Sequence, residues 1–224
     1  TLVSIPRASS VSAVNMTMGT AGKITISRAS SSFTHTLTYS FGNTSGTIAT
    51  KTTATSVSWT PALSLASQIP NATSGTCTIT CTTYNGNTNI GSKTCTLSLS
   101  VPASVKPTIS GLSASRIDGE VPSTWGLYVQ TKSKVKLTIN GAAGSYGSTI
   151  KSYSITGGGY SGSASTLTTG FLNNSGTITF KATVTDSRGR VSAEASVSIT
   201  VTAYSPPYLS LIHISEPTRQ AEIS

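Results

Sequence analysis

The stretch Gly176–Thr202, GTITFKATVTDSRGRVSAEASVSITVT, decides the fold class. In its first half Ile178, Phe180, Ala182 and Val184 alternate with Thr179, Lys181, Thr183 and Thr185. After Asp186-Ser187-Arg188-Gly189-Arg190, the residues Ala195, Val197, Ile199 and Val201 alternate with Ser196, Ser198, Thr200 and Thr202. Two period-two runs rich in β-branched residues, on either side of a loop containing glycine, predict a β-hairpin. One apolar face and one hydroxyl face predict a sheet that packs on one side and meets water on the other.

Working outward, the same phrase occurs earlier in the chain. Gly75-Thr76-Cys77-Thr78-Ile79-Thr80-Cys81 stands 101 residues before Gly176-Thr177-Ile178-Thr179-Phe180-Lys181-Ala182. Pro6, Pro107 and Pro207 mark junctions 101 and 100 residues apart. A period of that length is the length of an immunoglobulin-like domain. The expectation is an all-β chain of two tandem Ig-like or fibronectin-III-like β-sandwiches, joined by a short proline-containing linker. The divisions expected are residues 1–7 as the end of a preceding linker, 8–104 and 105–203 as the sandwiches, and 204–208 as a linker to a third module.

Within the first sandwich, Lys23–Arg28 is a strand with Ile24 and Ile26 inward. Phe33, His35, Leu37, Tyr39 and Phe41 share one face of the next strand. Ile48 marks a short strand, and Val57 with Trp59 another. Ala62–Gln68 is read as a helical turn crossing between sheets. A hairpin around Asn85-Gly86-Asn87-Thr88 closes the module, Asn-Gly being a strong turn signal because both residues tolerate positive φ. In the second sandwich Val135, Leu137 and Ile139 point inward, and Ile150–Thr156 and Ser163–Thr168 supply middle strands. Gly157-Gly158-Gly159-Tyr160-Ser161-Gly162 resembles a phosphate loop only superficially, because no helix follows to bring amides and dipole onto an anion. It is read as a strand connection.

The chain has 224 residues, of which 36% are hydrophobic and only 9% charged. Ser, Thr and Gly take the surface positions that Lys and Glu usually fill, a composition that favours strands over helices. No apolar run approaches the ~20 residues of a membrane-spanning helix. The last segment breaks the pattern. Leu209–Arg219, LSLIHISEPTR, is identified as the translation of a transposon-based sequencing adapter, with Gln220–Ser224 as index and primer bases. The expectation is therefore that residues 209–224 are a non-biological tail and that the native sequence stops at or near Tyr208. Setting aside Arg219, Glu216 and Glu222 moves the net charge from +9 to +10. A basic surface favours anionic partners without choosing among them.

Candidate sites are few. Cys77, Cys81 and Cys95 fall on core-facing positions, and the strand Lys23–Arg28 lacks the cysteine that an antibody-type bridge needs. Free buried thiols acting as small apolar fillers are expected. His35 lies on an aromatic face, and the carboxylates short of the tail (Asp118, Glu120, Asp186 and Glu194) are all in the other module, so His35 is read as structural. No catalytic, metal or cofactor site is expected. Lys132, Lys134 and Lys136 form a row on the outer face of one strand. The row is read either as charge protecting an edge strand or as a contact for an anionic polymer, joined by Arg188 and Arg190 if the sheets bring them close.

Two longer stretches carry a resemblance. SVSWTPALSLASQIPNATSGTCTITCTTYNGNTNIGSKTCTLSLSVPASVKPTI (56–109) resembles the repeating modules of siphovirus minor structural proteins from phages of Gram-positive bacteria. ATVTDSRGRVSAEASVSITVTAYSPP (182–207) looks like the closing strands of a neighbouring module. The resemblance implies a non-enzymatic spacer or decoration in a phage tail fibre, tail tip or baseplate, located in the virion and meeting other tail proteins. It also implies contact with the host surface, with cell-wall carbohydrate the partner expected there. No stripe of exposed stacking aromatics accompanies the lysines, so no specific nucleic acid partner is expected. The alternatives are a module that binds an anionic wall polymer such as teichoic acid, and a stalk of a bacterial surface adhesin.

Overall fold

A computed structural model describes residues 7–117 and 119–207 of the chain. Residues 1–6, Asp118 and residues 208–224, which include the segment read above as an adapter-derived tail, lie outside these described residues.

The first module is built from β1 (Ser10–Ala13), β2 (Met16–Thr17), β3 (Gly22–Ser27), β4 (Phe33–Phe41), β5 (Thr44–Thr52), β6 (Ser56–Trp59), β7 (Ser74–Asn85) and β8 (Thr88–Ser100). The second contains β9 (Gly111–Ile117), β10 (Tyr128–Val129), β11 (Lys134–Asn140), β12 (Ile150–Gly157), β13 (Tyr160–Gly162), β14 (Thr166–Thr168), β15 (Gly176–Asp186) and β16 (Ala195–Thr202). The two sets correspond strand for strand. In each module a three-stranded sheet, β1-β3-β6 or β9-β11-β14, faces a five-stranded sheet, β2-β8-β7-β4-β5 or β10-β16-β15-β12-β13. Registers agree as well. Leu99 opposes Gly75 across one hairpin and lies parallel to Met16; Val201 opposes Gly176 and lies parallel to Tyr128. The chain is an all-β tandem of two sandwiches with one shared topology.

Alternation explains the two cores. Ile178, Phe180, Ala182 and Val184 are buried, Ile199 opposes Ile178 and Val197 opposes Phe180 from β16, and Val201 is buried farther along that strand. They close on Val135, Leu137, Ile139 and Ile155 in one cluster. In the first module Ile24, Ile26, Leu37, Phe41, Ile79 and Leu99 form the equivalent core. Leu63–Gln68 is a 3-10 turn that buries Leu65 and Ala66 against it. At about 1.5–3 kcal/mol for each fully buried large side chain, either cluster accounts for a module's stability without a disulfide. Removing Phe180, completely buried, would cost ~3–5 kcal/mol.

Three readings are corrected. The strand marked by Ile48 is a nine-residue partner of β4. The run Ser163–Thr168 is not one strand: β13 and β14 lie in different sheets and the chain crosses between them. The row of lysines does not guard an edge. β11 is the middle strand of its sheet, paired to β14 on one side and β9 on the other, so its backbone groups are already taken.

The glycine loop is a hairpin turn between β12 and β13, with Gly157, Gly158 and Gly159 all at positive φ. Gly157 is obligatory: a Cβ there would sit 2.6 Å from the Thr179 carbonyl oxygen and 2.8 Å from Phe180 Cα.

Candidate functional site

The turn between β15 and β16 is where the second module meets the first. Asp186, fully buried, begins it. Its Oδ1 accepts from the backbone N–H of Arg188 at 3.0 Å and of Arg190 at 2.9 Å. The backbone closes the loop with Gly189 N–H to Asp186 O and Asp186 N–H to Arg190 O, both 2.9 Å. An Asp that bonds amides two and four residues on is a strong local turn device, and Gly189 at φ +80° supplies the left-handed step. The turn is therefore locked before either arginine side chain is placed.

Both side chains enter the junction. Arg188 donates through Nε to Ile69 O at 3.3 Å and through Nη2 to Ala66 O at 2.8 Å, which are carbonyls of the first module. It also donates to Ser145 O at 2.6 Å and Tyr146 O at 2.7 Å, which belong to its own. Only 7% of Arg188 remains exposed. Arg190 donates to Val101 O at 2.5 Å, Val105 O at 2.9 Å and Pro102 O. In the same turn, Ser187 Oγ donates to Pro70 O at 2.7 Å. On the linker, Val101 and Val105 are buried in the first module's core, and Ser145 Oγ donates to Lys106 O at 2.7 Å. A guanidinium presents five donors in a rigid plane and no acceptor, which suits it to a cluster of carbonyls. Burial pulls the Arg188 pKa below its usual value; Asp186 opposes that shift and Arg190 reinforces it. The planar charge still persists at any physiological pH.

The sequence matches, over residues 1–221, a family described as "Siphovirus protein of unknown function (DUF859)". The chain belongs to that siphovirus family. No curated protein matches it. Among solved structures, the siphovirus protein is similar to the fibronectin(III)-like modules of Clostridium thermocellum CbhA, at 15% identity over 89% of this chain and 92% of that one, with a TM-score of 0.34. It is also similar to chicken CNTN1 domains FN1–FN3 (8% identity, 88% and 68% covered, TM-score 0.32). Titin domains A168–A170 are a third case (18%, 85% and 62%, TM-score 0.32).

In the siphovirus protein the five basic residues singled out above do not form one patch. Arg188 and Arg190 are committed to the junction. Lys134 opens β11 at the other end of the module, whereas Asn140 closes it beside the linker, where Ser110 N–H meets Asn140 O. Six residues of strand put about 20 Å between those ends. Lys132 precedes β11 and is tied to Glu120 at 2.5 Å, a contact that raises its pKa. Lys134 Nζ sits 4.6 Å from the centre of the Phe171 ring, and Lys136 is exposed. The basic face of the siphovirus protein is thus Lys134 and Lys136, with Lys132 partly neutralised.

The other candidates are structural. Cys77, Cys81 and Cys95 are free. Cys95 opposes Ile79, so it is diagonal to both other thiols, and diagonal side chains stand farther apart than the ~3.8 Å between Cβ atoms that a disulfide needs. Burial pushes Cys77 and Cys81 up to about 11. His35 is fully buried, with Nε2 2.9 Å from Ser9 Oγ. Ser9 in turn accepts from Ala29 N–H and donates its own amide to Thr83 Oγ1. The ring ties the leading segment to the far end of the first sandwich, and burial holds its pKa below the usual value.

Sequence reasoning did place two arginines in one tight turn, a conspicuous charge density for this chain. It missed their destination because the acceptors are backbone carbonyls, which leave no mark in the sequence.

Proposed function

We propose that this siphovirus protein is a non-enzymatic spacer or decoration module of the phage tail, in a fibre, the tip or the baseplate. The observation that carries the reading is the junction. Five arginine hydrogen bonds and two serine bonds run from the second sandwich to the first and to the linker, and hold them at a set geometry, which a length-setting part needs and a flexibly strung binding domain does not. The carboxylates support the non-enzymatic reading. Among the described residues, Asp186 is fully buried with Oδ1 accepting two turn amides, Glu194 lies 2.9 Å from Lys181 and Glu120 pairs with Lys132. No helix among the described residues is long and apolar enough to cross a membrane.

Gold-labelled antibodies raised against residues 7–207 test the location on purified virions of a phage encoding the protein. Labelling of the tail or its tip is expected. Label confined to the lysate and absent from both intact and disrupted particles would overturn the assignment.

A further inference from the structure

The far end of the second module, away from the junction, carries a second construction. The segment between β9 and β10 forms a short 3-10 turn, Ser123–Trp125, whose Trp125 is 62% exposed. The turn is not loose. Arg116 donates to Pro122 O at 3.3 Å, Leu127 O at 3.0 Å and Ser123 O at 2.9 Å, gripping it on both sides of the indole. Trp125 lines a groove of about 320 Å³ together with Tyr204, 42% exposed, and the groove's charged members are Glu120 and Lys132, the latter with Nζ 5.6 Å from the centre of the Tyr204 ring. A smaller cleft of about 170 Å³ shares that Glu–Lys pair and adds Phe171 and Lys134. An exposed tryptophan on a backbone held by three charge-assisted bonds is preorganised for a ligand, because the ordering cost is met before binding. Trp and Tyr supply large amphipathic faces with a polar edge. A Glu–Lys pair in the same groove offers adjacent acceptor and donor groups.

We infer that this groove is a glycan-binding site, taking a pyranose ring against the aromatic lining of Trp125 and Tyr204. Vicinal hydroxyls of the ring meet Glu120 and Lys132, and a negatively charged substituent on the next unit reaches Lys134 and Lys136. The flat apolar C–H face of a pyranose suits an aromatic wall, and its equatorial hydroxyls suit a carboxylate beside an ammonium. The excess of lysine on the neighbouring β11 face sets the preference for phosphate- or uronate-bearing polymers over neutral ones. The inference is independent of where in the virion the protein sits.

The test is a printed array of bacterial surface glycans, neutral and anionic, probed with residues 7–207 and with the variants Trp125→Ala, Tyr204→Ala and Lys134→Glu/Lys136→Glu. All four positions are exposed or half-buried, so unchanged thermal unfolding serves as the folding control. The expected result is retention of anionic glycans, weakened about tenfold by loss of either aromatic wall. The lysine double variant is expected to lose the anionic glycans and keep any neutral ones. Retention of no glycan would overturn the proposal and leave the surface as a protein–protein contact. So would retention unchanged by Trp125→Ala and Tyr204→Ala, or equal capture of inorganic polyphosphate, which would reduce the site to charge alone.

Discussion

Replacing Arg188 by methionine keeps much of the aliphatic volume and removes every donor. Two of its four bonds cross to the first module, at Ala66 and Ile69. A hydrogen bond to a charged group contributes ~1.5 kcal/mol at the low end of its range, so the coupling lost between modules is about 3 kcal/mol. That corresponds to a shift of ~150-fold in the balance between closed and open junctions. Arg190 and Ser187 still bond Val101, Val105 and Pro70, so the modules stay tethered but swivel. Urea unfolding of residues 7–207 is expected to separate into two transitions in Arg188→Met, with small-angle scattering showing a broader distribution of end-to-end distances. Arg188→Lys should behave almost as badly, since one ammonium cannot reach carbonyls on both sides of the plane. Unfolding curves and scattering profiles that superimpose on wild type would show that the modules are held by something other than this side chain.

Two further outcomes follow from His35 and from the glycine turn. His35 has a folded pKa below its ordinary 6.5, so the unfolded chain binds its proton first as pH falls. Stability is therefore complete above about pH 6.5 and declines below it, by up to ~1.4 kcal/mol per pH unit until the folded pKa is passed. Denaturation midpoints at pH 7.5 and pH 5.5 should differ for wild type and differ less for His35→Gln; identical pH dependence would remove His35 as the cause. Gly157→Ala should lower stability by roughly 3 kcal/mol, from a strained φ and a Cβ driven into the β15 backbone. Gly159→Ala, which meets nothing within 4 Å, should cost only about 1–2 kcal/mol. Equal melting temperatures for the two variants would contradict this account.

The fold was legible because alternation and repetition act at short range. Ile178 to Val184, Val135 to Ile139 and the phrase shared by Gly75 and Gly176 each report the face their strand buries, and these strands fell where period two placed them. The short parallel strands β2 and β10 were not legible, since two residues carry no period. Nor was the central position of β11, because which strand neighbours which depends on long-range pairing that a run of Val-Lys-Leu does not encode. The candidate sites were less readable still. Lysines and arginines at Lys134 and Arg188 look alike in sequence, yet one faces water and the other is buried among carbonyls. Trp125 gave no signal either, because its role rests on Arg116, nine residues earlier, gripping the backbone around it.

The donors at the junction are side chains of the second module, and every acceptor they reach in the first module or the linker is main chain. Recombination between related phages could thus replace the upstream sandwich with a distant relative, and the fit would survive if the path of its backbone did. The downstream partner has no such freedom. The equivalent turn of the first module, Asn85-Gly86-Asn87-Thr88, contains no arginine, so a second copy of that module placed after itself would hang from its linker alone. Module order is therefore directional, written in the side chains of Ser145, Ser187, Arg188 and Arg190 on one side of the seam and in main chain on the other.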